Sequence, residues 1–273
     1  MTHNRKLWPP VILLSLSAIT LQCFAEDRTF GTRDPATALP PAKISDDLLP
    51  RGVEPLLTRA ASEGISKFLK LVDKKGAARF GFNPDAPVPK PGNITQLQPI
   101  EEQFVDLATL KGYSNPKNSD DVPTQLIVPL EKTIVPLAEG GLVRTSVTLV
   151  RDNNADWKAV GFNSRPMIAQ LMAARQLAAK EARFKSARYS IVNISGVNLS
   201  FLGVEVPLLV PAPSPVPGRP RDPRPLRRQG SRVYLVPIVS NSRLHLTAGV
   251  PRLANDIFAD LRQDAEAHNG KPT

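Results

Sequence analysis

Histidine is the first side chain to consider for catalysis, because its imidazole exchanges protons near neutral pH. His245 stands between Leu244 and Leu246 in an alternating run that predicts a strand over residues 243–247, so it points to the face opposite both leucines. A histidine base of a hydrolase needs a serine and an acid beside it, and no spacing in the sequence places them. No catalytic residue is assigned. His245 is kept as the candidate base of an alternative hydrolase, and His268 is expected to be solvated.

Other short motifs each lack a required residue. Ser114 and Lys117 have the Ser-x-x-Lys spacing, but the proline between them opposes the helix that this motif needs. The run Asp152–Asp156 begins like a calcium loop and lacks its glycine and distal glutamate, so it predicts a hairpin turn. Gly140-Gly141 is followed by no lysine and helix at the spacing of a phosphate-binding loop.

The most unusual stretch is residues 211–230, which we call the arginine segment. It alternates proline with arginine and predicts an exposed low-complexity loop. Over residues 219–232, which extend just past this segment, the net charge is +5, because Asp222 alone opposes six arginines. Guanidinium groups bind phosphate and carboxylate groups, and a cluster binds acidic polymers by releasing counterions. The predicted anion-binding or partner-binding residues are Arg219, Arg221, Arg224, Arg227, Arg228 and Arg232; a tolerated insertion without function is the alternative.

The amino terminus predicts secretion. Arg5-Lys6 precedes the apolar run Val11–Leu21, which has signal-peptide length, and cleavage is expected after about Ala25. An uncleaved anchor and a lipoprotein attached through Cys23 are the alternatives. Cleavage lowers the formal charge from +10 to +8 and removes the only cysteine. A secreted chain without disulfides suits a bacterial periplasm.

The composition argues against several kinds of ligand. After the predicted cleavage the chain keeps two of its three histidines and no cysteine, which supplies few ligands for a transition metal, so neither a metal nor a cofactor is expected. Aromatic residues make up 5% of the chain, which leaves few rings to stack on bases. With the predicted signal peptide, this argues against a nucleic-acid partner.

The domain organisation is predicted from changes in composition and hydrophobic pattern along the chain. Residues 1–25 form the predicted signal peptide and residues 26–50 a flexible leader. Residues 51–123 form a helical amino-terminal region, with a basic amphipathic helix from Pro55 to about Lys75, a proline-rich linker over 81–99 and a short helix over 99–110. Its first helix either docks on the protein's own core or lies on an anionic membrane.

Residues 124–270 predict an α+β domain that contains the disordered arginine segment. A hairpin over 145–162 leads to a long central helix, which Asn163 or Ser164 caps and which extends to about Ser186.

Further strands are predicted over 188–202, 204–210 and 233–239, and a last helix begins at Pro251. Pro129 and Pro136 interrupt two apolar runs, which predicts edge strands or bulges. These elements predict a mostly antiparallel sheet with the helices packed on one face.

The leading hypothesis is a secreted, periplasmic, non-enzymatic binding or assembly protein of the cell envelope. Its partner is expected to be an envelope protein or an anionic surface component, with membrane contact at most peripheral. The alternatives are the hydrolase built on His245 and a basic protein that adheres to anionic membrane or polymer. The sequence leaves the oligomeric state open.

Overall fold

The structure is a computed structural model. It describes residues 39, 42–72, 76, 78, 80–82, 87–114, 126–163, 165–194, 197, 199–207 and 231–267. These residues belong to one compact unit, Arg33–Thr273. The predicted signal peptide, most of the leader, His268 and the arginine segment lie outside the described residues.

Within the described residues, nine strands form one sheet and four α-helices pack against it. The strands are β1 (Thr95–Gln96), β2 (Ile100–Val105), β3 (Val128–Glu139), β4 (Leu142–Arg151), β5 (Trp157–Asn163), β6 (Arg188–Ile194), β7 (Leu199–Pro207), β8 (Ser231–Pro237) and β9 (Arg252–Leu253). The helices are α1 (Pro55–Leu71), α2 (Leu107–Lys111), α3 (Arg165–Ala179) and α4 (Ala254–Ala267).

The strand order is β5-β4-β3-β2-β6-β7-β8-β9, and β1 also pairs with β3. Neighbouring described strands are antiparallel except for β2 and β6, which are parallel. The predicted α+β class with a mostly antiparallel sheet is therefore confirmed.

The helices cover both faces of the sheet, so the prediction that they share one face is wrong. Successive side chains of a strand point to opposite sides. Ile191 and Leu202 pack in the core under α3, whereas their neighbours Val192 and Phe201 pack under α4. We call the side of α3 the front face. The back face carries α4 and α2 at one end and α1, over β3 to β5, at the other.

The central hairpin forms as predicted, but the helix after it is shorter than predicted. Strands β4 and β5 pair directly, and α3 ends at Ala179 instead of continuing to Ser186. A 3-10 turn over Ala182–Phe184 follows and buries the Phe184 side chain. The chain reverses there to enter β6, which a straight helix could not do. Of the two predicted caps, Asn163 donates through Nδ2 to the hydroxyls of Ser146 and Thr148 in β4, and Ser164 lies outside the described residues.

Strand β3 replaces the two predicted edge strands, and it lies inside the sheet between β4 and β2. The Pro136 oxygen accepts from the Leu97 N–H (2.9 Å), so the missing N–H of Pro136 faces residues 97–99, where the ladder is interrupted between β1 and β2. Pro129 lies beyond the pairing with β4, which begins at Lys132. Each proline is paired on one side of β3 only, Pro129 with Gln103 of β2 and Pro136 with Ser146 of β4, which is why an interior strand tolerates them. The register between β3 and β4 shifts between Leu137 and Ala138, just after Pro136.

The amino-terminal region contributes strands as well as helices. Residues 100–105 form β2 and not the predicted helix, because they pair with β3 on one side and β6 on the other. Residues 42–50 of the predicted leader pack against the sheet: Lys43 bridges to Leu142, and Leu48 is fully buried. Helix α1 docks Leu57 and Ile65 on the back face, which agrees with the docked alternative for this helix.

The Tyr113 side chain contacts α4 on the back face. The Tyr113 hydroxyl donates to Asn255 Oδ1 at 2.6 Å, in a buried contact. Burial, and secondly the charge of Asp256, raise the pKa of Tyr113. The folded state therefore holds this proton more tightly than the unfolded chain, so the stabilisation is complete below pH 10 and is lost as the pH rises through the folded pKa.

We expect Tyr113→Phe to lower the free energy of unfolding by about 1 kcal/mol at neutral pH, because the hydrogen bond is lost. We also expect the variant to lose less stability than the wild type when the pH is raised above about 10. Urea unfolding at several pH values measures both effects. Equal alkaline losses in the two proteins would contradict the assigned role of this hydroxyl.

Candidate functional site

An arginine lies within the apolar stripe of α3. The stripe buries Ile168, Leu171, Met172 and Ala178 on the front face. Arg175 belongs to it, because it follows Leu171 by four residues and precedes Ala178 by three. The residue is only 5% exposed. Because a buried cation loses its hydration, its hydrogen bonds decide how much it costs the fold.

The Arg175 guanidinium is only partly satisfied. Nη2 donates to the backbone oxygen of Asp47 at 3.2 Å, and the Tyr189 ring centroid lies 5.0 Å from Cζ. Nε and Nη1 are buried and have no hydrogen-bond partner among the described residues. Nε carries one N–H and Nη1 carries two, so three of the five donors have no acceptor.

Burial also governs the ionisation of this pair. It lowers the pKa of Arg175, and the charges of Tyr189 and Asp47 oppose that shift. The pKa of Tyr189 is raised, first by burial, while the cation of Arg175 acts in the opposite direction. Arginine keeps its proton at neutral pH in spite of such shifts. The site therefore presents a permanent positive charge beside a neutral phenol.

A second arginine follows α3 and stacks on aromatic rings. Cζ of Arg183 lies 4.5 Å from the Phe184 ring centroid and 4.8 Å from that of Tyr234. Its Nε donates to Glu181 Oε2 at 2.6 Å, and half of the side chain is exposed. Arg183 therefore has an acidic hydrogen-bond partner, whereas Arg175 has none among the described residues.

The two tyrosines lie in one row across the sheet. Tyr189 of β6 is paired with Val204 of β7, and Val204 is paired with Tyr234 of β8. Paired residues of neighbouring strands share a face, so both rings lie on the front face under the end of α3. We call Arg175, Arg183, Tyr189 and Tyr234 the arginine–tyrosine cluster.

Of the six predicted binding arginines, the structure describes Arg232. It lies in β8, paired with Val206 and two residues before Tyr234, so the Cβ atoms of Arg232 and Tyr234 point to the same face. The other five lie outside the described residues. The structure therefore brings Arg232 to the same end of the sheet as the arginine–tyrosine cluster, which the sequence did not predict.

A polar row crosses the front face at the opposite end of these strands. Glu102 is 7% exposed and sits between Lys132 Nζ, 2.8 Å from Oε2, and Asn193 Nδ2, 2.7 Å from Oε1. The Asn193 Oδ1 in turn accepts from Ser200 Oγ at 2.6 Å. The row joins β3, β2, β6 and β7. Its serine donates to an amide and to no base, so the arrangement supports the sheet rather than nucleophilic chemistry.

His245 lies in an exposed turn and not in the predicted strand. Its backbone has φ 51°, in the left-handed region, and its N–H donates to the Ser242 oxygen at 3.2 Å. A bridge between Asn241 and Leu246 closes the turn, and Asn241 Oδ1 accepts from the Leu244 N–H. The imidazole forms no hydrogen bond with a described serine or acid.

The remaining motifs have local roles. Asp152 Oδ1 accepts from the N–H groups of Asn154 and Asp156, and Oδ2 pairs with Lys158, as a closed hairpin turn requires. Gly140 and Gly141 form the turn between β3 and β4 with φ 56° and 78°. Ser114 is exposed, and Lys117 lies outside the described residues.

Comparison with protein-family models, with curated proteins and with solved structures finds no match for this chain. Among the described residues, no three His, Cys, Asp or Glu side chains lie close enough together to hold a metal ion. None of the described helices combines the length and the apolar character needed to cross a bilayer.

Proposed function

We propose that the chain is a secreted, periplasmic, non-enzymatic protein that binds another component of the cell envelope as an accessory or assembly factor. The arginine segment and Arg232 make the contact, and the partner presents an anionic surface. The partner is an envelope protein or an anionic surface polymer, and membrane contact is peripheral.

The anchoring of the arginine segment carries this proposal. Pro207, the last residue of β7, is paired with Ser231, the first residue of β8, and residues 208–230 connect them. Both ends of the connection are therefore held side by side on a rigid ladder. The cost of ordering a loop on binding rises with its freedom, and joined ends restrict that freedom. The two described residues that flank the arginine segment, Pro207 and Ser231, are thus fixed at one end of the sheet.

The described residues near this connection favour binding over chemistry. Arg232 adds a positive charge at the same end of the sheet. Guanidinium groups bind anions with several N–H donors and transfer no proton at neutral pH. Direct adhesion to a membrane through α1 has less support, because the apolar residues Leu57 and Ile65 are already buried on the sheet.

The test is capture from an envelope extract of the source organism with two matched variants. The first changes Arg219, Arg221, Arg224, Arg227 and Arg228 to glutamine and keeps every proline. The second removes five positive charges elsewhere, by changing Arg59, Lys67 and Lys70 of α1 and the exposed Lys90 and Lys185 to glutamine. We expect the first variant to lose at least tenfold in retained partner and the second to bind like the wild type. Binding should weaken steeply as salt is raised.

Three results would count against the proposal. If the first variant retains the partner, the arginines are not the contact. If both variants lose it equally, net charge and not this segment governs the interaction. If synthetic anionic vesicles bind the wild type as strongly as the extract component does, adhesion to lipid replaces recognition of a partner.

A further inference from the structure

Arg175 is a buried cation whose hydrogen bonds are incomplete. Its side chain is buried, three N–H donors have no acceptor among the described residues, and its one hydrogen bond is to a neutral backbone oxygen. Buried cations in proteins are paired or hydrogen-bonded, because an unpaired one is costly. Asp47 contributes attraction at a distance, but the residue is exposed and offers its backbone oxygen to Nη2.

The surroundings define what could satisfy these donors. One contact of the guanidinium is the Tyr189 ring, and the cluster beside it contains the rings of Phe184 and Tyr234. An acceptor that joins Nε and Nη1 must therefore enter a site lined largely by aromatic and aliphatic groups. A carboxylate carries one charge on a flat group that matches the guanidinium plane. A phosphate dianion carries more charge and would lose more hydration in such a site.

We propose that Arg175, backed by Tyr189, binds the carboxylate of a ligand on the front face of the sheet. Tyr189 is half-buried and Asp47 is exposed, so two of the residues in contact with the guanidinium reach the protein surface. The carboxylate can belong to an acidic sugar or to an acidic peptide. This site is separate from the contact proposed above, because it uses no residue of the arginine segment.

The protein offers a matched control in Arg183. Like Arg175, it stacks on a tyrosine ring of the front face, but it is half exposed and already paired with Glu181. The test compares the melting temperatures of wild type, Arg175→Met and Arg183→Met in sodium acetate and in sodium chloride of equal ionic strength. Glucuronate and N-acetylglutamate serve as further probes for the two sources, and inorganic phosphate serves as the contrasting anion.

We expect carboxylates to raise the melting temperature of the wild type and of Arg183→Met by about 3 °C at tenfold excess over Kd, and that of Arg175→Met not at all. Without added anion, Arg175→Met should melt at the same temperature as the wild type or above it, because a buried charge has been removed. If glucuronate raises the melting temperature more, the carboxylate belongs to an acidic sugar. If N-acetylglutamate raises it more, the carboxylate belongs to an acidic peptide.

A measurement on the wild type alone guards against a variant that fails to fold. The Nε–H resonance of Arg175 should shift during an acetate titration and follow the same Kd as the melting temperature. An unmoved resonance, a response to phosphate without one to carboxylates, or equal loss of the response in Arg183→Met would each overturn the assignment. The protein with the five glutamine substitutions in the arginine segment should keep the response, so this proposal can fail or survive independently of the proposed function.

Discussion

Replacing Glu102 by alanine is expected to lower the free energy of unfolding by about 3 kcal/mol. The carboxylate is buried and is the only acid among the described residues that joins Lys132 to Asn193. Without this carboxylate, the Asn193 amide loses an acceptor and Lys132 loses its counter-ion. Because the Lys132 side chain is 36% exposed, water compensates part of the loss, and the effect stays below that of a fully buried pair.

The neighbouring residue provides the control. Glu101 is exposed on the same strand, so Glu101→Ala should change the free energy of unfolding by no more than about 0.5 kcal/mol. Adding Lys132→Met to Glu102→Ala should recover part of the loss, because the unpaired cation is removed as well. Urea unfolding of the four proteins measures these differences. A Glu102→Ala protein as stable as Glu101→Ala would show that the polar row contributes nothing to the sheet.

Replacing Gly203 by alanine is expected to cost about 2 kcal/mol, although the added group is one methyl. A Cβ at this position would lie 2.4 Å from Ser190 Oγ and 2.9 Å from Val192 Cγ2. The serine cannot rotate away freely, because its hydroxyl donates to Gln103 Oε1 at 2.9 Å. Strand β7 must therefore move away from β6, or this hydrogen bond must break.

Gly161 in β5 is the matched position for this substitution. A Cβ there meets no atom within 4 Å, so Gly161→Ala should be neutral or slightly stabilising, since alanine restricts the unfolded chain more than glycine does. The paired variants are compared by thermal and urea unfolding. Combining Gly203→Ala with Ser190→Ala should relieve part of the strain, and strictly additive effects would contradict the proposed contact.

The elements that the sequence predicts well are those whose pattern matches their final environment. Helix α1 and helix α4 each bury one stripe, and the β4–β5 hairpin alternates around a polar turn, so periodicity alone identifies them. Strand β2 was missed because Pro99 and the acids at 101 and 102 resemble a helix start. Pairing with β3 and β6, far away in sequence, decided its conformation.

The arginine–tyrosine cluster could not be assembled from sequence, because β6, β8 and α3 meet only in the folded chain. One signal was nonetheless present. Arg175 interrupts the apolar spacing of Leu171 and Ala178, and a charge inside a buried stripe marks a residue that needs a partner. The turn at His245 had no such signal, since Leu244 and Leu246 imitate the alternation of a strand.

The parallel pairing of β2 with β6 has a consequence for how the chain reaches this structure. Glu101 is paired with Ser190, so the two strands can join only after β3, β4, β5 and α3 have been made. During synthesis, β2 therefore holds a bare hydrogen-bonding edge that another chain could occupy. The hairpins on either side are local and form quickly, whereas the pairing of β2 with β6 joins residues far apart in sequence and is slow. We therefore expect the joining of the two halves to limit the folding rate, and aggregation to compete with folding at that stage.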